Sequence, residues 1–485
     1  MKYDSKIVKM PEIVALLVET LKEEYLRCSK NSIKNIVLAK MAQVITAKRV
    51  RYKEFENLGF PNYYAINLLP SGFGKDKMVN DIDRHILPHF YEWFQNEAEE
   101  YNLRQIGEIT AKADEKYQIK EEKLKREYIR EKKKKIRNII SETSDGTKEG
   151  LYQDAKAIEK ADFGSIFVKI SELGLYLVNA SNDQKLFFGQ LNEAYDGKIC
   201  SKSIKGENRD KNIIDIPVNA LLYSDPTFFM NDLKKSFNIL LHTGLSRRCM
   251  VTFMDNPEPV VNDDVDKAYE IEQKYYRRLN FLQNRFDVLF DKIDKNAVYD
   301  LKENAHKRLI AYKIELQNKI DEKNTLLSRE ISSRYFKALK ISCLYACLNH
   351  PEKLTIEVED VEQAIDTVEK LSSDFKKFSE YKPKHNDIYD NIFNFFLEHI
   401  EQEFTKTELI GNRNIFNLTR DKFRKDFDDY MEIVGEIAQE KGYFLDTKLI
   451  NRNSGHKYCL KPLMNSELSE NFISLDKLIN VTKSS

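Results

Sequence analysis

The chain has 485 residues, more than one hydrophobic core usually supports, so we expect two or three domains. Hydrophobic residues make up 41% and charged residues 32%, with 16 glycines and 11 prolines, which excludes a disordered or fibrous protein and favours a mainly helical fold. The formal net charge is zero, so binding to an anionic polymer would require local basic patches.

The segment from Pro11 to Arg51 has apolar residues at helical spacing. They form two sets, Ile13, Leu16, Leu17 and Leu21, and then Ile36, Leu38, Met41 and Val44. This spacing predicts two amphipathic helices that pack beside the first strand.

A glycine-rich turn follows the first buried strand. Residues 64 to 76 read Tyr-Ala-Ile-Asn-Leu-Leu-Pro-Ser-Gly-Phe-Gly-Lys-Asp, which is similar to the phosphate-binding loop G-x-x-x-x-G-K-[ST]. In that loop the backbone N–H groups and the lysine bind phosphate oxygens, and the final hydroxyl binds Mg²⁺. The residues predicted to bind ATP and Mg²⁺ are Ser71, Gly72, Phe73, Gly74, Lys75 and Asp76. The alternative is an ordinary strand-to-helix turn with an incidental lysine.

A helix is predicted after the turn, through Met78 and Ile82, until Pro88 interrupts it. Residues 94 to 140 are dominated by glutamate and lysine and predict a long, solvated helix. Its basic end, residues 132 to 135, is either a nucleic-acid contact or a solubilising face.

A second buried strand is predicted from Ser-Ile-Phe-Val-Lys-Ile, residues 165 to 170, which precedes Ser171 and Glu172. This ending resembles the second strand of a P-loop ATPase, where Asp-Glu holds the Mg²⁺ shell and polarises the attacking water. By that resemblance Glu172 is the catalytic base and Ser171 occupies the metal-side position. The alternative is a surface glutamate at a strand end.

Two further segments complete the predicted core. A buried strand ends in Ser224 and Asp225, one of which would lie beside the γ-phosphate. The sequence Gly-Leu-Ser-Arg-Arg, residues 244 to 248, would place an arginine against a neighbouring subunit's nucleotide, where it stabilises transition-state charge. We assign this role to Arg247, although the sequence does not choose between it and Arg248, and a solvated pair is the alternative.

The remainder predicts a helical lid and a C-terminal module. Long helices are predicted from 265 to 340, followed by a helix that starts at acidic residues near Asp360. After a linker at Pro383, residues 387 to 462 predict helices followed by a glycine-turned hairpin, which is typical of a winged helix. The candidate DNA-binding residues at its wing are Lys448, Arg452, His456 and Lys457. The alternative is that this module makes only protein contacts.

We therefore predict an α/β fold with a P-loop NTPase core, large helical insertions and a C-terminal winged-helix domain; the resemblance described next implies that the core is of the AAA+/RecA-like type. The predicted domains are an N-terminal helical segment (1–60), an ATPase core (61–260) with a charged insertion (94–140), a helical lid (261–380), a winged-helix domain (385–465) and a flexible tail (466–485).

In this order, the motifs resemble the P-loop helicase-like family of phages and mobile elements, which is often associated with primases. The resemblance spans roughly residues 10 to 372. It depends on Asn67-Leu-Leu-Pro-Ser-Gly-Phe-Gly-Lys75, Ser144-Asp-Gly-Thr147-Lys-Glu149-Gly-Leu, Ser171-Glu172-Leu-Gly174 and Gly244-Leu-Ser-Arg247. The segment Asp360-Val-Glu-Gln-Ala-Ile365 with a following winged helix is also similar to the minichromosome maintenance branch of AAA+ ring helicases. That similarity implies that Arg334 is a lid arginine that senses nucleotide.

The chain departs from the resembled family at two positions. The family usually has serine or threonine after the P-loop lysine and Asp-Glu at the second strand, whereas this chain has Asp76 and Ser171. If the carboxylate and the hydroxyl have exchanged positions, one carboxylate and one hydroxyl would still lie near Mg²⁺. Decay of the site is the alternative, because a carboxylate close to a phosphate oxygen repels it unless a cation lies between them.

The resemblance implies an ATP-dependent DNA helicase or motor for phage or mobile-element replication. Nucleotide would bind between the subunits of a homo-oligomeric ring, a hexamer, that acts on single-stranded DNA with a primase, polymerase or other replisome proteins. The alternative is a non-hydrolysing DNA-binding, loader or scaffold subunit with a degenerate P-loop. A purely structural helical protein is a third interpretation, which the polar strand ends favour least.

The six cysteines include no C-x-x-C pair and no histidine partner at zinc spacing. We therefore expect buried, reduced thiols and no structural metal. The first residues lack a secretory apolar core, and no apolar run is long enough to span a bilayer. These features predict a cytoplasmic protein without membrane contact, in the host cytoplasm if the chain is phage-encoded.

Overall fold

The chain divides into two compact units, Met1–Tyr381 and Lys382–Ser485. The computed structural model describes residues 10–70, 72–117, 121–144, 146–178, 182–199, 212–226, 244–254, 264–320, 325–379, 387–411, 420–451 and 455–463.

Helices make up most of the first unit. In chain order they are α1 (Glu12–Glu24), α2 (Lys30–Ala47), α3 (Lys75–His85), α4 (Pro88–Lys116), α5 (Glu122–Lys133), α6 (Lys148–Glu159), α7 (Leu173–Val178), α8 (Asn182–Ala194), α9 (Leu245–Arg248), α10 (Val265–Asp291), α11 (Glu303–Gln317), α12 (Thr325–Asn349) and α13 (Val358–Ser379). The strands are β1 (Arg51–Glu54), β2 (Asn57–Gly59), β3 (Tyr64–Leu68), β4 (Ile166–Ile170), β5 (Lys198–Ile199), β6 (Ile213–Ile214), β7 (Val218–Ser224), β8 (Met250–Phe253), β9 (Val298–Leu301) and β10 (Thr355–Ile356).

A parallel sheet lies at the centre of this unit, and its order among the described strands is β4-β7-β3-β8. Nearly all of its residues are buried, which is the pattern of a parallel sheet covered on both faces. β7 lies between β3 and β4, so the carboxyl ends of these three strands are neighbours at one edge. Open α/β sheets bind ligands at such an edge. The α/β class is as predicted.

Both helices predicted ahead of the glycine-rich turn are present as α1 and α2. α2 is buried along almost its whole length and contacts β3, β7 and β8. Asn35 of α2 donates hydrogen bonds to the side chain of Asn67 and the carbonyl of Met250, both at 3.0 Å. The prediction that this segment packs beside the first strand is confirmed.

A second sheet, in the order β10-β9-β1-β2, was not predicted. β1 and β2 form an antiparallel hairpin within the segment expected to be helical, and β9 pairs in parallel with β1. This sheet therefore joins the N-terminal segment to the helices expected to form a separate lid. Its strands are short and partly exposed, so they carry little of the alternating apolar pattern that identifies a strand in a sequence.

The charged insertion is two helices rather than one long helix. Pro88 is the first residue of α4, which agrees with the prediction that it ends the preceding helix. α4 ends where Tyr117 adopts an extended backbone, and α5 then packs along α4. The fold-back gives the sparse apolar side chains of α5 a partner, which one continuous helix would not provide.

The second unit has its own core and combines helices with an antiparallel sheet. Its elements are α14 (Asp387–Glu398), β11 (Phe404–Thr405), α15 (Lys406–Gly411), α16 (Arg420–Glu440), β12 (Tyr443–Asn451) and β13 (Gly455–Pro462). The sheet order is β11-β13-β12, and its core includes Phe396, Phe427 and Leu460. The predicted helices and the predicted hairpin are therefore present.

Of the helices that the structure describes, none has both the length and the apolar composition needed to cross a bilayer. The described cysteines are buried thiols outside any disulfide, as predicted: Cys28, Cys249, Cys343, Cys347 and Cys459. Cys200 lies outside the described residues.

Candidate functional site

The glycine-rich turn connects β3 to α3 at the carboxyl edge of the parallel sheet. The N–H of Leu69 donates to the carbonyl of Ser224 at 2.9 Å, which fixes the start of the turn against β7. Gly72 and Gly74 have φ of +83° and +72°, a region that side chains disfavour. Ser71, predicted to bind phosphate, lies outside the described residues.

α3 begins directly after Gly74, with Lys75 and Asp76 in its first turn. The N-terminal N–H groups of a helix have no intrahelical partner, and they favour anions together with the helix dipole. Because Gly74 is the N-cap, no side chain caps these donors. The start of α3 is therefore chemically suited to an anion, although Asp76 is itself a negative charge there.

The N-terminal segment supports the turn from outside. The thiol of Cys28 donates to the carbonyl of Phe73 at 3.2 Å. A Cβ on Gly74 would lie 2.9 Å from the ring of Tyr25, so only glycine fits at this position without a shift of that ring. Sequence reasoning missed this contact, because Tyr25 and Cys28 belong to no local motif of the turn.

The structure brings together the predicted phosphate lysine and the predicted base. Nζ of Lys75 lies 3.4 Å from Oε1 of Glu172, which follows β4. The Lys75 side chain is buried, at 8% exposure, whereas that of Glu172 is 43% exposed. A buried cation and a partly exposed carboxylate therefore meet across the end of β7.

Asp76 and Ser171, the predicted metal-side residues, each adjoin a member of this ion pair in sequence. Asp76 is exposed and Ser171 is half-buried. The described contacts include no bond between them, and no group of three metal-ligating side chains is found in the described part of the chain. Mg²⁺ at this edge would therefore need ligands from water and phosphate, which is its usual preference.

The end of β7 and the residue after it place three polar side chains between the turn and Glu172. Ser224 is fully buried, and Asp225, which follows β7, is buried as well. Tyr223 is fully buried and its hydroxyl has no hydrogen-bond partner among the described residues. Burial raises the pKa of Tyr223 well above its ordinary value, and the negative charges of Asp76 and then Asp83 add to this effect. These surroundings therefore disfavour ionisation of the Tyr223 hydroxyl.

A polar network around the buried ammonium of Lys40 connects α3 and β4. Nζ of Lys40, in α2, lies 2.7 Å from Asp83 of α3 and 3.6 Å from Glu142. Lys169 of β4 lies 3.2 Å from the same glutamate, and Tyr91 donates to Asp83 at 2.9 Å. Sequence reasoning missed this network, since its members come from four distant segments.

The two adjacent arginines of α9 have different surroundings. Arg248 donates to Asp196 at 3.0 Å, whereas Arg247 is exposed and has no ion pair with any described carboxylate. Partial burial lowers the pKa of Arg247, as do the positive charges of Arg248 and Arg329. Of the pair, Arg247 is therefore the arginine available to an anion.

Arg334, expected to sense nucleotide, belongs instead to a buried network in α12 and α13. Its guanidinium donates to Glu330 at 2.8 Å and to both carboxylate oxygens of Glu369 at 3.1 Å. Lys337 and Ser372 also donate to Glu330, each at 3.0 Å. Every nitrogen of Arg334 faces a carboxylate within its own helical bundle, which is a structural role, and the nucleotide-sensing role stays a prediction.

The predicted DNA-binding lysines of the second unit share one carboxylate. Lys448 and Lys457 are paired across β12 and β13 and donate to Glu403 at 2.9 and 3.1 Å. These two hydrogen bonds lower the pKa of Glu403. His456 is exposed, and Arg452 lies outside the described residues. The lysine cluster is thus partly neutralised within the unit.

Neither the family models nor the curated proteins compared with this chain give a match. The site itself offers a buried ammonium at a helix N-terminus, a partly exposed carboxylate within ion-pair distance, and an adjacent hydroxyl and carboxylate. This set is able to bind an anionic ligand and, once the carboxylate is released, to accept a proton from water.

Proposed function

We propose that the chain is a P-loop nucleoside triphosphatase that acts as a motor on single-stranded DNA during replication of a phage or mobile element. The observation that carries this proposal is the ion pair between Lys75 and Glu172 at the carboxyl edge of a parallel sheet. It joins the end of one strand to the start of the helix that follows another. A phosphate chain lying on the N-terminus of α3 would contact Lys75 and displace Glu172 from it.

The geometry suggests a role for each residue of the turn. Lys75 and the first N–H groups of α3 would bind the β- and γ-phosphates of ATP, and Gly72, Phe73 and Gly74 would supply backbone contacts. Asp76 and Ser171 would hold Mg²⁺, and Glu172 would activate the attacking water. Ser224 ends the strand between the turn and Glu172, and Asp225 follows it, which suits a group that contacts the γ-phosphate.

Assembly into a ring is part of the same proposal. Arg247 is the exposed member of its pair, so it is free to reach the nucleotide of a neighbouring subunit and stabilise transition-state charge. The helices and hairpin of the second unit support a winged-helix assignment for it. The ring, a hexamer, would act with a primase, polymerase or other replisome proteins.

Turnover of ATP tests the proposal, with Lys75→Ala as the variant and Lys77→Ala as its matched control. Lys77 lies on the same helix, is exposed, and pairs with Glu24. Mg²⁺-dependent hydrolysis stimulated by single-stranded DNA should fall about 100-fold or more in Lys75→Ala and remain in Lys77→Ala. Full stimulation in Lys75→Ala would remove the turn from the mechanism.

The second candidate function is a non-hydrolysing platform or loader subunit. Two observations favour it. Asp76 puts a carboxylate in the first turn of α3, and Lys75 is already ion-paired with Glu172. On this alternative, nucleotide binds without turnover, and Glu172→Gln leaves DNA binding and partner assembly unchanged. Hydrolysis by the native chain that is lost in Glu172→Gln would exclude the platform.

A further inference from the structure

The charged insertion carries a group of cations that no described carboxylate neutralises. On α5 and directly after it they are Lys123, Arg130, Lys132, Lys133, Lys134 and Lys135, all exposed. Other cations of α5 do have partners: Arg126 pairs with Glu122 at 3.0 Å, and Lys125 pairs with Asp114 of α4. Most of these unpaired cations lie at the carboxyl end of α5, and we call the whole set the cationic face.

Two tyrosines lie beside the cationic face. The rings of Tyr117 and Tyr128 are 5.8 Å apart and half-buried. Nζ of Lys116 lies 5.3 Å from the first ring centroid and 5.1 Å from the second, and Nζ of Lys132 lies 5.5 Å from that of Tyr128. Surfaces that bind single-stranded nucleic acid combine aromatic rings, on which the bases stack, with cations that neutralise the phosphates.

We propose that the cationic face, together with Tyr117 and Tyr128, binds single-stranded nucleic acid. The cations would contact the phosphates, and the tyrosines would stack on unpaired bases. This inference rests on the proposed function and names the surface that holds the strand.

The composition of α5 favours nucleic acid over an anionic membrane. A helix that lies on a membrane needs a broad apolar face. The apolar residues of α5 are only Leu124, Tyr128 and Ile129, and the last two are half-buried against the rest of the insertion. The lysines of the second unit are a weaker candidate, because Glu403 already neutralises Lys448 and Lys457.

The cationic face is also linked to the nucleotide edge. The chain continues from Lys135 to Thr143, which pairs with β4: its N–H donates to Phe167 and its carbonyl accepts from Lys169, both at 2.8 Å. β4 leads directly to Glu172. A strand held on the cationic face is thus positioned to affect the residue proposed to activate water.

Fluorescence anisotropy with the full chain and a labelled oligothymidylate tests this site. The first variant replaces the four lysines at positions 132 to 135 with glutamine. The control makes the same charge change at exposed lysines around α11, namely Lys302, Lys307, Lys313 and Lys319. We expect the first variant to bind about tenfold or more weakly and to show a smaller salt slope, by about 0.7 for each phosphate that is no longer neutralised, while the control binds like the native chain.

The second variant, Tyr128→Leu, removes a ring but no charge, and it should weaken binding about fivefold or more with little change in salt slope. Native affinity in both the four-lysine variant and Tyr128→Leu would overturn the proposal. Stronger binding of the native chain to phosphatidylserine vesicles than to oligothymidylate would also overturn it, in favour of a membrane.

Nucleotide binding separates this site from the proposed function. The four-lysine variant should bind Mg²⁺·ATP analogue like the native chain but lose stimulation of hydrolysis by single strands. If the native chain binds oligothymidylate through the cationic face but binds no nucleotide, the proposed motor function fails and the nucleic-acid site stands.

Discussion

The ammonium of Lys75 lies 3.4 Å from the carboxylate of Glu172, so the two groups on which the proposed chemistry depends neutralise each other in the structure. A phosphate that binds Lys75 has to compete with this carboxylate. When Lys75 binds the phosphate instead, Glu172 loses its ion-pair partner. Its carboxylate would then be able to accept a proton from water. Binding of nucleotide would thereby create the base that hydrolysis needs.

Glu172→Gln separates these two effects. We expect Mg²⁺·ATP to bind about two- to fivefold more tightly, because a competitor for Lys75 is removed from a partly exposed pair. Turnover should fall about 100-fold or more, because the proposed general base is absent. Calorimetry and phosphate release measure the two quantities. Glu149→Gln, at an exposed position of α6, is the control, and unchanged turnover in Glu172→Gln would exclude it as the base.

If Asp76 supplies the metal-binding carboxylate in place of residue 171, the Mg²⁺ dependence of turnover should change when that carboxylate is removed and should recover when it is placed at residue 171. Asp76→Ser should raise the Mg²⁺ concentration for half-maximal turnover about tenfold, because it removes the only carboxylate assigned to the metal. Adding Ser171→Asp should restore it. If the native chain is inactive and only the double variant hydrolyses ATP, the exchange is a defect and the platform function is correct.

Tyr223→Phe tests the buried hydroxyl on β7. Because this hydroxyl has no partner among the described residues, its removal should leave the free energy of unfolding unchanged or slightly higher. Tyr64→Phe is the matched control: its buried hydroxyl donates to the carbonyl of Leu191 at 2.9 Å, and its removal should cost about 1 kcal/mol. Denaturant titration of both variants without nucleotide measures this. A decrease in Tyr223→Phe equal to that in the control would mean that the Tyr223 hydroxyl is bonded in the folded protein.

Arg334→Met tests whether this arginine is structural. Removing one partner from a buried ion pair leaves Glu330 uncompensated, so we expect the free energy of unfolding to fall by about 3 kcal/mol. Affinity for nucleotide should not change at a temperature where the variant is folded. A variant with native stability and weakened nucleotide binding would instead restore the nucleotide-sensing role.

Glu330 also predicts an acid dependence of stability. Burial alone would raise its pKa, but the charges of Lys337 and Arg334 hold the pKa below its ordinary value. Its folded pKa is therefore lower than the unfolded value of about 4.3, so its contribution is present above that pH and is lost as pH falls through the folded pKa. Unfolding measured from neutral pH to below about pH 4 should show this effect, and Glu330→Gln should reduce the slope. An unchanged slope would assign the acid dependence to other carboxylates.

The sequence was sufficient where a local pattern specifies the structure. Helical spacing identified α1 and α2, and the glycine turn with Lys75 and the strand end at Glu172 were found from short motifs. The structure then placed those two side chains in contact. Within the motif at residues 144 to 151, Thr147 has a local role that the residues themselves explain, since its hydroxyl accepts from Gly150 and caps α6.

The sequence was insufficient where distant residues determine the contact. Nothing near Lys40 in the chain indicates that it is fully buried against Asp83 and Glu142, and nothing near Arg334 indicates that Glu369 will pair with it. The strand β9 was missed for the same reason, because its pairing partners, β1 and β10, lie far from it in the chain. Burial and pairing partners at such positions depend on the tertiary fold, which no local window contains.

Binding of a non-hydrolysable ATP analogue with Mg²⁺, measured by calorimetry, tests the central claim most directly. The account predicts saturable binding to the native chain and to Lys77→Ala, and affinity at least about tenfold weaker in Lys75→Ala, because that variant lacks the buried ammonium beside Glu172. No binding by the native chain, or equal affinity in Lys75→Ala, would contradict it.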